Sequence, residues 1–256
     1  TYIFNDLIDF EADRKHTYKK NRPIASGALP IPLAMFLLVL GVIVGLSMAY
    51  NLNYFVFLSS LTYLAIQVMY SGYLKNIPII DLIVIASGYL IRVYAGALAI
   101  SAHIDVWFLM TVIAASLFLA VGKRRGEMTL LLYKYKTGET RSTLKRYTEQ
   151  LLDIYTSMFA TGTWITYALF SFNHPRIVPD GKALNLISIL PKTFVSEKWM
   201  MVTIPLVVYG VMRYLQVIYE TNEGESPERI ILSDKPLLFT GIAWITLVIG
   251  VLYYIG

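Results

Sequence analysis

Four polar residues near the start of the chain have the types and the spacing of a metal-binding cluster. Asp6, Asp9 and Asp13 are three and four residues apart, so their carboxylates fall on one face of a helix, and Asn5 adjoins them. Like charges at this spacing repel, and at a membrane boundary they are costly unless a cation neutralises them. Mg²⁺ prefers carboxylate oxygens and shares its other positions with substrate phosphates. The pattern predicts that these four residues hold Mg²⁺, whereas a lone acidic run would more simply be a solvated helix end.

The elements that must position this cluster are transmembrane helices. Hydrophobic residues make up 56% of the 256-residue chain and charged residues 15%, against about 25% charged residues in a soluble domain. Uncharged runs of roughly 20 residues can cross a bilayer as helices, and they do not alternate as the strands of a β-barrel would. The absence of cysteine excludes disulfides and thiolate metal sites. The sequence therefore predicts an all-α, polytopic helical bundle with about seven complete spans, at 31–50, 54–73, 80–101, 105–123, 151–173, 199–219 and 236–255.

Lysine and arginine residues are distributed unequally between the two alternating classes of loop. Seventeen of the 22 lie in or beside the class that includes 10–30, 123–150 and 220–235, and four lie in 174–198. The positive-inside rule places the basic class in the cytoplasm, together with every candidate chemical motif. We therefore expect a multi-pass protein of the plasma membrane with its active site on the cytoplasmic side. The loop at 174–198 is either an ordered external cap or a simple connector.

The acidic cluster belongs to a longer motif. The pattern NDxxDxxxD at residues 5–13 is followed by a basic stretch, by RPIASG at residues 22–27 and by a hydrophobic hairpin. This combination resembles the first signature of the UbiA prenyltransferase superfamily. The resemblance implies an all-helical membrane bundle of nine spans, with acidic motifs around a central cavity. It also implies one domain over residues 1–256 that lacks its N-terminal part, because residues 2–4 look like the last turn of a helix cut off upstream.

The chain departs from the ordinary superfamily pattern after the predicted span at 105–123. Ordinary members carry a second aspartate-rich motif in that loop, which holds a second metal, whereas residues 122–127 read Gly-Lys-Arg-Arg-Gly-Glu. Lysine and arginine suit a site that gathers several phosphate groups. This pattern is similar to the decaprenyl-phosphate phosphoribosyltransferase branch of the superfamily. Further stretches agree with that branch, namely Tyr70-Ser71 to Asp81, Tyr89 to Arg92, Ala95-Gly96, Tyr147-Thr148, Gly224-Glu225, Pro227-Glu228 and Asp234.

The resemblance to this branch implies a transferase that moves 5-phosphoribosyl from phosphoribosyl pyrophosphate to a polyprenyl (decaprenyl) phosphate, for cell-wall arabinan precursors. Mg²⁺ is the implied cofactor, the lipid bilayer is the implied surrounding, and no nucleic-acid partner is expected. The implied catalytic residues are Asp9, Asp13, Lys123, Arg124 and Glu127. The implied substrate-binding residues are Lys19, Lys20, Arg22, Tyr70, Lys75, Asp81 and Arg92.

Two other functions stay open. An ordinary UbiA prenyltransferase would move an isoprenoid from a prenyl diphosphate to an aromatic acceptor, but the missing second aspartate motif counts against it. A non-enzymatic transporter would need polar residues in the middle of several spans, and Arg92 is the main one. Lys123 and Glu127 also have the spacing of a simple helix-end ion pair. Asp81 and Arg92 are about 16 Å apart along a helix, so each needs a partner elsewhere.

Overall fold

The computed structural model describes residues 2–15, 19–134, 147–175, 198–220 and 227–255. Within these ranges the chain is helical and contains no strand, so the predicted all-α class is confirmed. The α-helices in chain order are α1 (Tyr2–Ile8), α2 (Phe10–Lys15), α3 (Ile31–Leu52), α4 (Tyr54–Gly72), α5 (Ile80–Ala99), α6 (Val106–Lys134), α7 (Glu149–Asn173), α8 (Ile204–Glu220), α9 (Pro227–Ser233) and α10 (Lys235–Gly250). Shorter helical segments are Lys19–Asn21, Leu74–Asn76, Trp199–Thr203 and Val251–Ile255.

Six helical segments in the described part of the chain are long and apolar enough to cross a membrane. They are Ile31–Leu52, Tyr54–Gly72, Ile80–Ala99, Val106–Thr129, Trp199–Glu220 and Lys235–Tyr253, and they correspond to six of the seven predicted spans. The remaining prediction, at 151–173, forms α7 but is not among these six. Hydroxyl side chains such as Thr156, Thr163 and Thr166 make α7 less apolar, and they donate hydrogen bonds to carbonyls four residues earlier.

The helices fall into two compact units, Thr1–Ile104 and Asp105–Gly256, and the prediction of one domain over 1–256 stays a prediction. In the N-terminal unit, α3 and α4 form a hairpin, α4 packs against α5, and α1 contacts both α3 and α4. Asn53 makes the hairpin turn: its N–H donates to the Ala49 carbonyl, and its side-chain oxygen accepts from the Phe55 N–H at 2.8 Å. One residue therefore ends α3 and caps α4, as the predicted turn at 51–53 requires.

In the C-terminal unit, α6 and α7 pack along one another, and α8 and α10 complete the core. Phe118, Ala160, Tyr214 and Ile218 are among its buried residues, with the rings of Phe118 and Tyr214 5.2 Å apart. A Cβ at Gly122 would lie 2.9 Å from the Ile218 side chain and 3.1 Å from the Tyr214 hydroxyl. Glycine at this position thus allows α6 to approach α8 closely.

The prediction that residues 122–127 begin a loop is wrong. They lie inside α6, which continues to Lys134. Arg124 pairs with Glu127 one turn later, and the Thr129 hydroxyl donates to the Arg125 carbonyl, so polar groups are satisfied within the helix. The predicted loop at 220–235 likewise contains α9, and Asp234 caps α10. Most of the predicted cap at 174–198 lies outside the described residues.

Candidate functional site

The acidic segment forms two short helices that meet at Asp9. The Asp9 N–H donates to the Asn5 carbonyl at 2.9 Å, and the Asp13 N–H donates to the Asp9 carbonyl at 2.8 Å. Helical hydrogen bonding therefore continues across the junction between α1 and α2. Asp6 and Asp13 lie on a common face, as predicted, because their carboxylates contact the same nitrogen of Arg22. Asp9 contacts a different partner, Lys75.

Arg22 joins two of the carboxylates through a single nitrogen. Its Nη1 lies 2.7 Å from Oδ1 of Asp6 and 2.8 Å from Oδ2 of Asp13. The Asp13 side chain is 7% exposed, whereas the Arg22 side chain is 37% exposed. A positive charge therefore lies between two carboxylates of the cluster, on a side chain that remains accessible to solvent.

Residues at the end of α4 and just after it bind Asn5 and Asp9, the other two members of the cluster. The Lys75 Nζ lies 2.6 Å from Oδ1 of Asp9, and both side chains are largely buried. Ser71, which is 3% exposed, donates its hydroxyl hydrogen to Oδ1 of Asn5 at 3.3 Å. Both contacts join residues 66 positions apart in sequence, so no local spacing could have predicted them.

The donor set suits a hard divalent cation in its chemistry, because three carboxylates and an amide oxygen are ligands that Mg²⁺ accepts. Burial raises the pKa of Asp6 above its usual value; Arg22 opposes the rise, and the charges of Asp13 and Asp9 add to it. Among the described residues, no three histidine, aspartate or glutamate side chains are arranged to hold one metal ion. The contacts explain this, because Arg22 binds Asp6 and Asp13 while Lys75 binds Asp9. Two of the proposed ligands nevertheless already converge on one positively charged atom.

A tight turn fixes the backbone that carries Arg22. The Ser26 N–H donates to the Arg22 carbonyl at 2.8 Å, and the Gly27 N–H donates to the Ile24 carbonyl at 3.1 Å. Gly27 has a φ of 81°, a conformation in which a Cβ causes strain. Ile24 is 3% exposed and anchors the turn in the unit. The motif at 22–27 therefore combines structural positions, Ile24 and Gly27, with the cation that reaches the acidic cluster.

Arg92 has its partners on α4 and on its own helix. Its guanidinium donates to the Tyr63 hydroxyl and lies over the rings of Tyr63 and Tyr89, 5.0 Å and 5.6 Å from their centroids. The partner expected from another helix is therefore Tyr63. Arg92 also lines a mainly apolar cavity of about 500 Å³, to which α1, α3, α4 and α5 contribute side chains. At Gly88 of α5 a Cβ would contact Tyr63 and Gln67, so α4 approaches α5 closely at this position.

The other predicted residues of the N-terminal unit differ in accessibility. Asp81 is fully buried in the first turn of α5 and reaches no open surface. Tyr70 is half-buried near the end of α4. Lys19 and Lys20 lie in the turn Lys19–Asn21, where the Lys20 side chain is exposed.

In the C-terminal unit, Lys123, Arg124 and Glu127 lie on consecutive turns of α6. The Arg124 side chain is only 2% exposed, and its Nη1 lies 2.7 Å from Oε2 of Glu127, which is 13% exposed. Lys123 is half-buried. The predicted catalytic group therefore contains a largely buried ion pair, formed by residues three apart.

Arg125 anchors a network that the sequence analysis missed. Its Nε lies 2.7 Å from Oδ1 of Asp153 and its Nη1 lies 3.0 Å from Oε1 of Glu149, both on α7. The Tyr219 hydroxyl of α8 donates to the same Asp153 oxygen at 2.7 Å, and its ring lies under the Arg125 guanidinium. Arg125 thus ties three helices together, and two carboxylates neutralise its charge.

Known proteins resemble this chain over most of its length. A model described as the UbiA prenyltransferase family matches residues 1–124. The decaprenyl-phosphate phosphoribosyltransferase of Corynebacterium glutamicum is 31% identical over 254 residues, covering 98% of this chain and 71% of that protein. The protein of the same name from Mycolicibacterium smegmatis is 32% identical over 254 residues, covering 99% of this chain and 76% of that protein.

Solved structures share the fold. A UbiA homolog from Archaeoglobus fulgidus, bound to DMAPP and Mg²⁺, matches with a TM-score of 0.67 at 18% identity. The same homolog bound to GPP and Mg²⁺ matches with a TM-score of 0.68 at 17% identity. Each match covers 98% of this chain and 81% of the other. At these identities the likeness establishes the helical fold.

Proposed function

Because the chain belongs to the UbiA prenyltransferase family, we propose that it transfers 5-phosphoribosyl from phosphoribosyl pyrophosphate to a polyprenyl phosphate, such as decaprenyl phosphate, with Mg²⁺. The chain is a transferase and a multi-pass membrane protein, with six apolar helices in its described part. The observation behind the proposal is that Asp6 and Asp13 contact the same cationic nitrogen, which marks a position where a cation is bound. The chain is also similar over nearly its whole length to enzymes named for this reaction. The lipid-linked product would supply cell-wall polysaccharide synthesis.

The proposed reaction is a displacement at C1 of the ribose. The bond from C1 to the pyrophosphate oxygen breaks, an oxygen of the lipid phosphate bonds to C1, and pyrophosphate leaves with the electron pair. Asn5, Asp6, Asp9 and Asp13 would hold Mg²⁺, which when bound absorbs charge of the leaving pyrophosphate. The acceptor phosphate is already an anion, so no strong general base is needed. Positive charge develops at C1 in glycosyl transfers, so positioning and electrostatic stabilisation supply most of the rate.

Cationic side chains of the N-terminal unit bind phosphate groups in this proposal. Arg22 and Lys75 lie within 2.8 Å of the cluster's carboxylate oxygens, and their N–H groups suit phosphate oxygens equally well. Lys19 and Lys20 precede Arg22 by a few residues and extend the same basic stretch. These four cations would hold the donor's anionic groups.

The remaining proposed residues support binding in different ways. In the C-terminal unit, Lys123 and Arg124 would bind a further phosphate group, with Glu127 orienting Arg124 through their 2.7 Å ion pair. In the N-terminal unit, Tyr70 and Arg92 would contact substrate. Asp81 is fully buried, which gives it a supporting position in the first turn of α5.

The active site is proposed to face the cytoplasm, because seventeen of the 22 lysine and arginine residues belong to one class of loop. Single introduced cysteines test this cleanly, since the chain has no cysteine of its own. Ala28 and Ala102 are both exposed and are separated by three spans, α3 to α5. We expect Ala102→Cys to react with a membrane-impermeant maleimide in intact cells. Ala28→Cys should react only in inverted vesicles, and reaction of both cysteines from one side would contradict this topology.

Phosphoribosyl pyrophosphate with Mg²⁺ is expected to protect the purified protein against heating, and geranylgeranyl diphosphate is expected to protect it much less. The phosphoribosyl donor carries a 5-phosphate in addition to its pyrophosphate and can therefore engage more of the proposed cations. Stabilisation by a ligand at a hundredfold excess over its Kd should reach about 2.7 kcal/mol. Thermal unfolding in detergent, with and without EDTA, measures the effect. Labelled donor incubated with polyprenyl phosphate should place label in the lipid phase.

Lys123→Gln is the informative variant for this experiment, because removing Arg124 would also break its ion pair with Glu127. It should weaken protection by the phosphoribosyl donor. The matched control is Lys235→Gln, which removes an exposed lysine of the same unit and should leave protection unchanged. Stronger protection by the prenyl diphosphate, retained in Lys123→Gln, would favour an ordinary prenyltransferase, the alternative supported by the likeness to a GPP-bound homolog.

A further inference from the structure

We propose that Arg22 and Lys75 are exchangeable counter-cations: they neutralise the acidic cluster in the absence of metal and move to substrate phosphate oxygens when metal binds. This inference rests on the proposed function, because it takes Mg²⁺ and a pyrophosphate group as the ligands of the cluster. It adds a coupling between metal binding and pyrophosphate binding, which does not follow from naming the metal ligands alone. Metal and pyrophosphate should each bind weakly alone and tightly together.

The ion pairs place Arg22 and Lys75 in competition with a metal for the same carboxylate oxygens. The Nη1 atom of Arg22 lies 2.7 Å and 2.8 Å from oxygens of Asp6 and Asp13. Mg²⁺ binds carboxylate oxygens at about 2.0–2.1 Å, so an ion held by these same two oxygens would compete with Nη1 for them. Lys75 holds Asp9 in the same way, with its Nζ 2.6 Å from Oδ1. A metal that takes this Oδ1 atom as a ligand would therefore displace the ammonium group.

The local charge balance favours joint binding of metal and pyrophosphate. The three carboxylates and two cations of these ion pairs leave one negative charge. A divalent ion alone would turn this into one positive charge and would also displace both protein cations from their partners. A pyrophosphate anion that arrives with the metal offers the displaced cations new oxygens. Charge-assisted bonds are thus exchanged instead of lost.

Arg22 and Lys75 both extend from short helical or turn segments beside the acidic cluster. The turn after Arg22 is fixed by the hydrogen bonds of Ser26 and Gly27, yet the Arg22 side chain is 37% exposed. Lys75 follows α4 in the short helical turn Leu74–Asn76 and carries its charge on a flexible four-carbon stem. In this proposal the exchange of partners occurs by side-chain rotation, and the planar guanidinium can then bind phosphate through two N–H groups.

Mn²⁺ binding to the full chain in detergent, followed by electron paramagnetic resonance with and without inorganic pyrophosphate, tests the proposal. Coupling between two ligands is reciprocal, and pyrophosphate should tighten Mn²⁺ binding to the wild type by about 5- to 150-fold. Arg22→Gln should bind Mn²⁺ alone more tightly than the wild type does and should lose most of this coupling. Lys75→Gln should change in the same direction, so the test does not depend on Arg22→Gln folding.

The matched control is Arg14→Gln, which removes the same charge from the same segment. Arg14 is exposed and its guanidinium lies 5.5 Å from the centroid of the Phe10 ring. An equal tightening of Mn²⁺ binding in Arg14→Gln would mean that only long-range charge acts, and would overturn the proposal. Weaker or unchanged Mn²⁺ binding by both Arg22→Gln and Lys75→Gln would overturn it while leaving the metal site in place. A wild type that binds no Mn²⁺ under either condition would remove the metal assignment, and the proposed function with it.

Discussion

Asp9→Asn is expected to lower turnover by about 10²- to 10³-fold and to leave the helical fold intact. Asp9 lies at the junction of α1 and α2, where its Oδ1 is 2.6 Å from the Lys75 Nζ. Asparagine preserves the shape of the side chain and one carbonyl oxygen, but it removes the negative charge that both Mg²⁺ and Lys75 require. Steady-state kinetics over a range of Mg²⁺ concentrations should show a lower kcat and a higher metal requirement. Circular dichroism should show unchanged helix content.

Glu11→Gln is the matched control for this prediction, because it removes an exposed carboxylate two residues further along the same acidic run. The control should retain turnover close to that of the wild type. Near-normal, Mg²⁺-dependent turnover in Asp9→Asn would exclude Asp9 from the metal site. The acidic run would then be a charged helix end whose carboxylates serve only as partners of Arg22 and Lys75.

The acidic cluster illustrates what local spacing can and cannot predict. Asp6 and Asp13 are seven residues apart, close to two helical turns, and this periodicity correctly placed them on a shared face. Their cation was not predictable from it, because Arg22 lies nine residues beyond Asp13, outside the two short helices that carry the carboxylates. Lys75 and Ser71, which contact Asp9 and Asn5, lie at the far end of the hairpin formed by α3 and α4. Such contacts depend on how α1 packs against α4, which residue spacing does not encode.

The ends of helices were less predictable than their existence. A hydropathy argument ends the fourth span near residue 123, because the next residues are charged, yet α6 continues to Lys134. The helix tolerates the charges because Arg124 finds a carboxylate one turn away and Arg125 finds two on α7. The length of an apolar run therefore measures the membrane-crossing part of a helix, whereas ion pairs and packing determine where the helix ends.

Three consecutive cations on α6 have three different environments, although the sequence presents them as one basic group. Lys123 is half-buried, Arg124 is almost completely buried against Glu127, and Arg125 is bound by carboxylates of α7. A basic cluster at a helix end is often only a signal of membrane orientation. That role does not explain why Arg124 is 2% exposed with a carboxylate as its partner. The burial of this ion pair predicts a large effect on stability.

Arg124→Met is expected to destabilise the protein by about 3–5 kcal/mol, because it removes the charge that pairs with the largely buried Glu127 carboxylate at 2.7 Å. The double variant Arg124→Met, Glu127→Leu replaces both charges with apolar groups of similar size and should recover most of this loss. Denaturant titrations in detergent measure the free energy of unfolding of each variant. Arg14→Met is the control for removing an exposed arginine, and it should change stability by no more than about 1 kcal/mol.

The same double variant separates folding from substrate binding at this position. If Arg124 binds a phosphate group as proposed, the double variant should be stable yet lose much of the thermal protection given by phosphoribosyl pyrophosphate. If the double variant recovered stability and kept full thermal protection by phosphoribosyl pyrophosphate, the ion pair would have only a structural role. Failure of the double variant to recover stability would instead contradict the ion-pair argument, since both charges of the pair have been replaced by apolar side chains. The two measurements thus test the ion pair and the phosphate contact independently, on one pair of residues three positions apart.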